Sequence, residues 1–141
     1  MIVLDTNVVS EIIKPAPSEQ VLHWISSQPA LLLYTTSFTQ AEMLYGMEIL
    51  PKGKKKKALD AALNGMFAED FRNRVLGFDS SCARHFAEIA AERKLLGRPI
   101  SQFDCQIAAI ARSRKATLAT RNTPDFTDCG IKLVNPWDLK A

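Results

Sequence analysis

Ile2-Val3-Leu4 is an unbroken apolar run, β-branched at its first two positions, and Asp5 follows it directly. Without polar alternation, such a run reads as a short strand buried on both faces. Comparable short runs return at Leu31–Thr36, Arg74–Phe78, Thr117–Thr120 and Ile131–Val134. Between them the apolar spacing becomes helical. Val8–Lys14 is a short helix stopped by Pro15 and Pro17, and Ser18 caps a second whose apolar face is Val21, Leu22, Trp24 and Ile25. Ser37-x-x-Gln40 is a capping-box pattern opening a helix to about Leu50, and Lys54–Phe71 is the longest helical pattern. Ser80–Leu96 is closed by Gly97, and Ser101 caps a last helix that buries Ile107, Ala108, Ile110 and Ala111. Strands alternating with helices, without hairpin signals, predict an α/β fold: a parallel sheet of about five strands covered by helices on both faces.

Composition narrows the class. With 141 residues and 47% apolar content, the chain is long enough for one domain with one core. The longest apolar runs are far short of a membrane span, so no membrane association is expected. No export signal opens the sequence, which makes the cytoplasm the expected compartment. Cys82, Cys105 and Cys129 are widely spaced and odd in number, which argues against a zinc site or a disulfide framework. Cys105 points about 100° away from its neighbour Asp104 on a helix and is expected to pack in the core. A net charge of +3 permits a polyanionic partner. There is no phosphate-cradling G-x-x-x-x-G-K-[ST] or G-x-G-x-x-G motif, and His23 and His85 lack metal-ligand spacing.

The candidate chemistry is carboxylate chemistry. Asp5 and the Arg121–Asp125 loop follow strands, whereas Glu42 and Asp104 lie near helix N-termini. In a right-handed parallel α/β fold those positions share one edge of the sheet, so the four segments can converge there. Each also has an ordinary reading: Asp5 as a helix N-cap, Asp104 as acidic partner to the Ser101 cap, Glu42 as a solvated side chain, Asp125 as a loop residue. Clustered carboxylates raise one another's pKa unless a cation neutralises them. A hard divalent ion, Mg²⁺ or Mn²⁺, suits oxygen ligands and implies metal-assisted phosphodiester hydrolysis. Arg121 is the candidate for touching the scissile phosphate. Thr6, Asn7 and Thr120 are expected on the substrate side with it, and the basic run beginning at Lys54 is a candidate phosphate-backbone contact.

Met1–Asn7 (M-I-V-L-D-T-N), Thr39–Gly46 (T-Q-A-E-M-L-Y-G), Ile100–Ala111 (I-S-Q-F-D-C-Q-I-A-A-I-A) and Leu118–Phe126 (L-A-T-R-N-T-P-D-F) together resemble the PIN domain. More closely they resemble the VapC and FitB-like toxins of type II toxin–antitoxin systems, as does the ending Val134-Asn135-Pro136-Trp137. The resemblance implies a PIN-like three-layer α/β/α domain over residues 1–141 and an Mg²⁺- or Mn²⁺-dependent endoribonuclease. By motif, its acidic ligands are Asp5, Glu42 and Asp104. Where some relatives carry an Asp directly after the Thr-Arg dipeptide, this chain has Asn122, an amide without charge. Asn122 is then a neutral candidate ligand and Asp125 the alternative source of charge, with a second ion expected to arrive with substrate. The resemblance also implies a homodimer, a cognate VapB/FitA-like antitoxin covering the site, and contact with operator DNA only through that antitoxin. The competing functions are a non-catalytic antitoxin-binding module and a structure-specific DNA nuclease.

Overall fold

The computed structural model describes residues 1–139. Five parallel strands, β1 (Ile2–Leu4), β2 (Leu33–Thr36), β3 (Val75–Leu76), β4 (Thr117–Ala119) and β5 (Lys132–Val134), form one sheet in the order β3-β2-β1-β4-β5. β1 lies at the centre, with Ile2, Val3 and Leu4 opposite Thr117, Leu118 and Ala119 of β4. Alternation along the strands sends neighbouring residues to opposite faces. Val3 and Leu118 join a core with the helices α5 (Ser80–Leu95) and α6 (Gln102–Ser113). Leu4, Leu33 and Ala119 pack on the other face against α1 (Thr6–Ile12), α2 (Glu19–Ser26), α3 (Ser37–Glu48) and α4 (Lys54–Gly65). The expected three-layer α/β/α architecture is therefore the observed one.

Several boundaries move for identifiable reasons. α1 starts at Thr6 because the Asp5 carboxylate caps it. The α3 cap is Thr36, whose hydroxyl accepts from the Thr39 N–H at 3.1 Å; the expected Ser37 box is displaced by one residue. Leu31 and Leu32 form a 3₁₀ turn rather than strand, with Leu32 N–H bonded to the Pro29 carbonyl at 2.9 Å. After Gly65 the long fourth helix widens into a π-helical turn, Met66–Asp70. That turn closes with the Phe71 N–H on the Met66 carbonyl at 2.9 Å, and Met66, Phe67 and Phe71 are all buried. The expected strand over Arg74–Phe78 shortens to two residues at the sheet edge.

α5 and α6 run antiparallel. Cys82 near the start of α5 meets Ser113 at the end of α6, with Sγ and Oγ 3.4 Å apart. The far end of α5 accordingly lies beside the loop after β4, and the α6 N-terminus shares that sheet edge. The three cysteines are buried free thiols, and burial pushes the Cys105 thiol up to about 11, consistent with a packing role. No helix among the described residues is long and apolar enough to cross a membrane.

Candidate active site

The sheet ladder carries the backbone of Asp5 one residue beyond β1, its N–H bonding the Ala119 carbonyl at 2.9 Å. The next residue of β4's chain, Thr120, is thereby set beside it. Asp5 is only 5% exposed, so both of its oxygens need partners. Oδ1 accepts from the Thr6 N–H at 2.8 Å, and Oδ2 accepts from the Thr120 hydroxyl at 2.8 Å. The Asn7 amide lies 3.4 Å from Oδ2 and donates to Thr120 Oγ1 at 3.2 Å. Asp5 is thus a helix cap and a fixed site carboxylate at once.

The loop after β4 is tied to the same group of residues. Arg121 N–H donates to Asn7 Oδ1 at 3.1 Å, and Asn122 N–H donates to Thr120 Oγ1 at 3.1 Å. Pro124 and Asp125 sit in a 3₁₀ turn, Thr123–Phe126, anchored by the fully buried ring of Phe126. Asp125 and Asn122 are exposed. Asp104 is half-buried in the first turn of α6, and its N–H donates to Ser101 Oγ at 3.1 Å, so the capping reading holds and leaves the carboxylate itself at the sheet edge. Glu42 projects from α3 at the mouth of a cleft of about 590 Å³ lined by Thr6, Met43, Tyr45, Ile49 and Lys55. Lys54 stands exposed at the start of α4, outside that lining.

Electrostatics ties the acidic residues together. Burial raises the pKa of Asp5, opposed by hydrogen bonds from Thr120 and Thr6, with Asp125 adding to the rise. Burial also raises Glu42, and Asp5 and Asp104 push it further. Asp104 is raised by burial, then by Asp5 and Asp125, against a lowering contribution from Arg93. Charge is therefore felt between separate segments at one sheet edge: Asp5 and Asp104 raise Glu42, Asp5 and Asp125 raise Asp104, and Asp125 raises Asp5. Their donor chemistry, all oxygen and mutually repulsive, fits a hard divalent cation. Among the described residues, however, no three Asp, Glu, His or Cys side chains are arranged as a ready ligand cage.

Two groups of supporting residues carry little signal in the sequence. Arg93, only 5% exposed, donates Nε to the Arg98 carbonyl at 2.7 Å and Nη1 to the Asp125 and Thr127 carbonyls at 2.9 and 3.1 Å. A cation at helical spacing from Ile89 and Phe86, on an otherwise apolar stripe, was its only sequence signal. Thr36 and Thr39 are fully buried; the Thr6 hydroxyl donates to Thr39 Oγ1 at 3.1 Å, linking the α1 and α3 N-termini beneath the acidic residues. Their hydroxyls gave no signal apart from capping.

A parallel α/β sheet with a central-strand carboxylate and further acidic groups at its carboxyl edge defines a class of ligand-binding α/β domain. The PIN domain family model matches residues 2–129. The chain is 38% identical over 138 residues to the VapC ribonuclease Y4jK of Sinorhizobium fredii, covering 98% of this chain and 99% of that protein. It is 38% identical over 137 residues to the toxin FitB of Neisseria gonorrhoeae, covering 97% and 99%. The structure of FitAB bound to an IR36 DNA fragment contains a chain that superimposes with a TM-score of 0.94 at 38% identity, covering 100% of this chain and 99% of that one. The chain belongs to the PIN-domain family and, within it, to the VapC and FitB group.

Proposed function

We propose that this protein is a divalent-metal-dependent endoribonuclease and the toxin component of a type II toxin–antitoxin pair. The observation that carries the reading is the buried, hydrogen-bond-fixed Asp5 at the carboxyl edge of the central strand, whose charge reaches Glu42 and Asp104 on two other segments and raises both. Membership beside a protein named as a VapC ribonuclease gives that acidic pocket its substrate class.

In this reading Asp5, Glu42 and Asp104 hold Mg²⁺ or Mn²⁺, with Asn122 as a neutral ligand and Asp125 as the source of added charge. When bound, the ion lowers the pKa of a water molecule and neutralises charge on the scissile phosphate. Asp5 is the fixed member, because Thr6 and Thr120 hold both oxygens in place. Glu42 and Asp104 would complete the ligand set from α3 and α6. Glu42, at the cleft with its pKa raised from its ordinary value by partial burial and by Asp5 and Asp104, is suited to take the proton of the attacking water at its carboxylate. Arg121, exposed and paired with no carboxylate among the described residues, binds the phosphate, with Thr6, Asn7, Thr120 and Lys54 supporting the substrate side.

The partner is a cognate antitoxin of the VapB/FitA kind, and the match to FitAB on DNA supports operator contact through that partner. The cleft beside Glu42 suits a covering segment: Tyr45 and Ile49, at 66% and 65% exposure, leave its rim apolar. A homodimer placing two acidic sites in one groove completes the assembly.

Cleavage of RNA by antitoxin-free protein tests the reading. Asp5→Asn and Asp104→Asn are expected to lower the Mg²⁺-dependent rate by a factor of about 10³ or more while keeping the native circular dichroism spectrum. EDTA is expected to abolish wild-type cleavage. The neutral Asn122 and the open ligand arrangement favour, as second reading, a non-catalytic antitoxin-binding module. Wild-type protein that leaves every RNA intact with Mg²⁺ or Mn²⁺ present selects that module instead.

A further inference from the structure

Arg121 forms no ion pair among the described residues and directly follows Thr120, the residue that hydrogen-bonds Asp5; the chain holds it at three points. Its N–H donates to Asn7 Oδ1 at 3.1 Å, and its carbonyl accepts from Asn135 Nδ2 at 3.3 Å. Its guanidinium lies over the Trp137 indole, 5.0 Å from the ring centroid. Asn135 closes the arrangement, because its Oδ1 accepts from the Trp137 N–H at 2.9 Å. One asparagine therefore grips both the arginine's backbone and the backbone of the tryptophan beneath it.

A free arginine side chain loses considerable rotamer entropy on binding an anion. A guanidinium already lying on an indole has surrendered part of that freedom, while its N–H edges stay available for an oxyanion. The stacked face and the hydrogen-bonding edge are different parts of the group, so the ring restrains the cation without competing for its donors. Trp137 is half-buried and packed against the α1–α4 side of the core, which makes it a stable platform.

We propose that Trp137 and Asn135 are positioning residues that pre-aim Arg121 at a phosphate of single-stranded RNA beside the Asp5 pocket. The inference rests on the ribonuclease reading for the identity of the anion, whereas the clamp itself stands on the geometry.

The test uses the full chain carrying Asp5→Asn, so that RNA is bound but not cut. Affinity for a short fluorescein-labelled single-stranded RNA is measured by anisotropy over a salt series. Arg121→Ala is expected to weaken binding about 10-fold and to reduce the slope of log K against log salt by about 0.7, one phosphate contact. Trp137→Leu should weaken binding by about 3-fold or more, and Trp137→Phe, which keeps an aromatic face, should restore most of that loss. Combined with Arg121→Ala, Trp137→Leu should cost nothing further, because both act through one cation. If Trp137→Leu melts below the assay temperature, Asn135→Ala takes its place with the same expected non-additivity. A second readout needs no RNA: in a Trp24→Phe background the emission of Trp137 should shift when Arg121 is changed to Met. Unchanged emission, or Trp137 and Arg121 losses that multiply, overturns the clamp. If wild-type protein leaves every RNA uncut with Mg²⁺ or Mn²⁺ and the Asp5→Asn parent binds none, while the emission shift is present, the ribonuclease reading is overturned and the clamp stands.

Discussion

Asp5 bears the conflict at the heart of this protein, because one side chain both starts a helix and supplies negative charge to a crowded pocket. Its hydrogen bonds offset part of the burial cost, yet the net pKa shift of Asp5, Glu42 and Asp104 is upward, with burial the largest cause in each. A carboxyl raised in the folded chain binds its proton more tightly there than when unfolded. Its contribution to stability is therefore full below the ordinary carboxylate range and is lost as pH rises through the raised value. Asp104→Asn removes one such charge while keeping the backbone N–H that Ser101 caps. At pH 7 without metal, the variant should melt about 1–3 °C above wild type, the modest gain reflecting solvent screening at a half-exposed site. The difference should shrink towards zero as the pH falls below the carboxylate range. Paired thermal melts across pH read this directly; a variant less stable than wild type at pH 7 contradicts the repulsion. Activity should run the other way, falling with acidification as the same groups take up protons.

At the scale of elements, the site depends on how the turn after β4 is held against the end of α5. Arg93 supplies that link by donating to the carbonyls of Arg98, Asp125 and Thr127 from inside the core. Arg93→Met keeps the apolar stem but leaves those carbonyls without a donor. We expect a loss of roughly 2–4 kcal/mol in urea denaturation and a fall in cleavage rate through displacement of Asp125. Arg93→Met denaturing at the wild-type urea midpoint would show that the link is dispensable. The strands and the order of the helices were legible in the sequence because buried parallel strands leave undivided apolar runs. Asp5 was legible for the same reason, as the first charge after such a run. The cap at Thr36 was not, since Ser37 beside it has the same capping chemistry and only the strand's end decides between them. The π-helical turn at Met66–Asp70 answers to the packing of Met66, Phe67 and Phe71, which helical spacing alone does not encode. Arg93 bonds carbonyls as far as 34 residues away, and Asn135 and Trp137 meet Arg121 14 and 16 residues before them, so although Asn135 and Trp137 stood out as part of the chain's ending, their link to Arg121 is not written in any local pattern.

For the molecule as a whole, the sheet brings four segments of one chain to a common edge. The α/β/α layers bury two apolar cores, one on each face of the sheet, and leave the carboxylates at that edge beside an apolar cleft rim at Tyr45 and Ile49. The net charge of +3 leaves the acidic pocket as a local reversal within a mildly basic protein, an arrangement suited to drawing in a polyanion and a cation together. Lys55 on the cleft wall and Arg121 on its clamp flank the carboxylates from different elements. On the proposed function, these carboxylates act as one ligand set for a divalent ion. Isothermal titration of antitoxin-free protein with Mn²⁺ at pH 7.5 tests it most directly. Saturable binding is expected, weakening by about 10-fold or more in each of Asp5→Asn, Glu42→Gln and Asp104→Asn, and weakening in wild type as the pH is lowered. Mn²⁺ binding of equal strength in wild type and all three variants, or no binding by any of them, would contradict it.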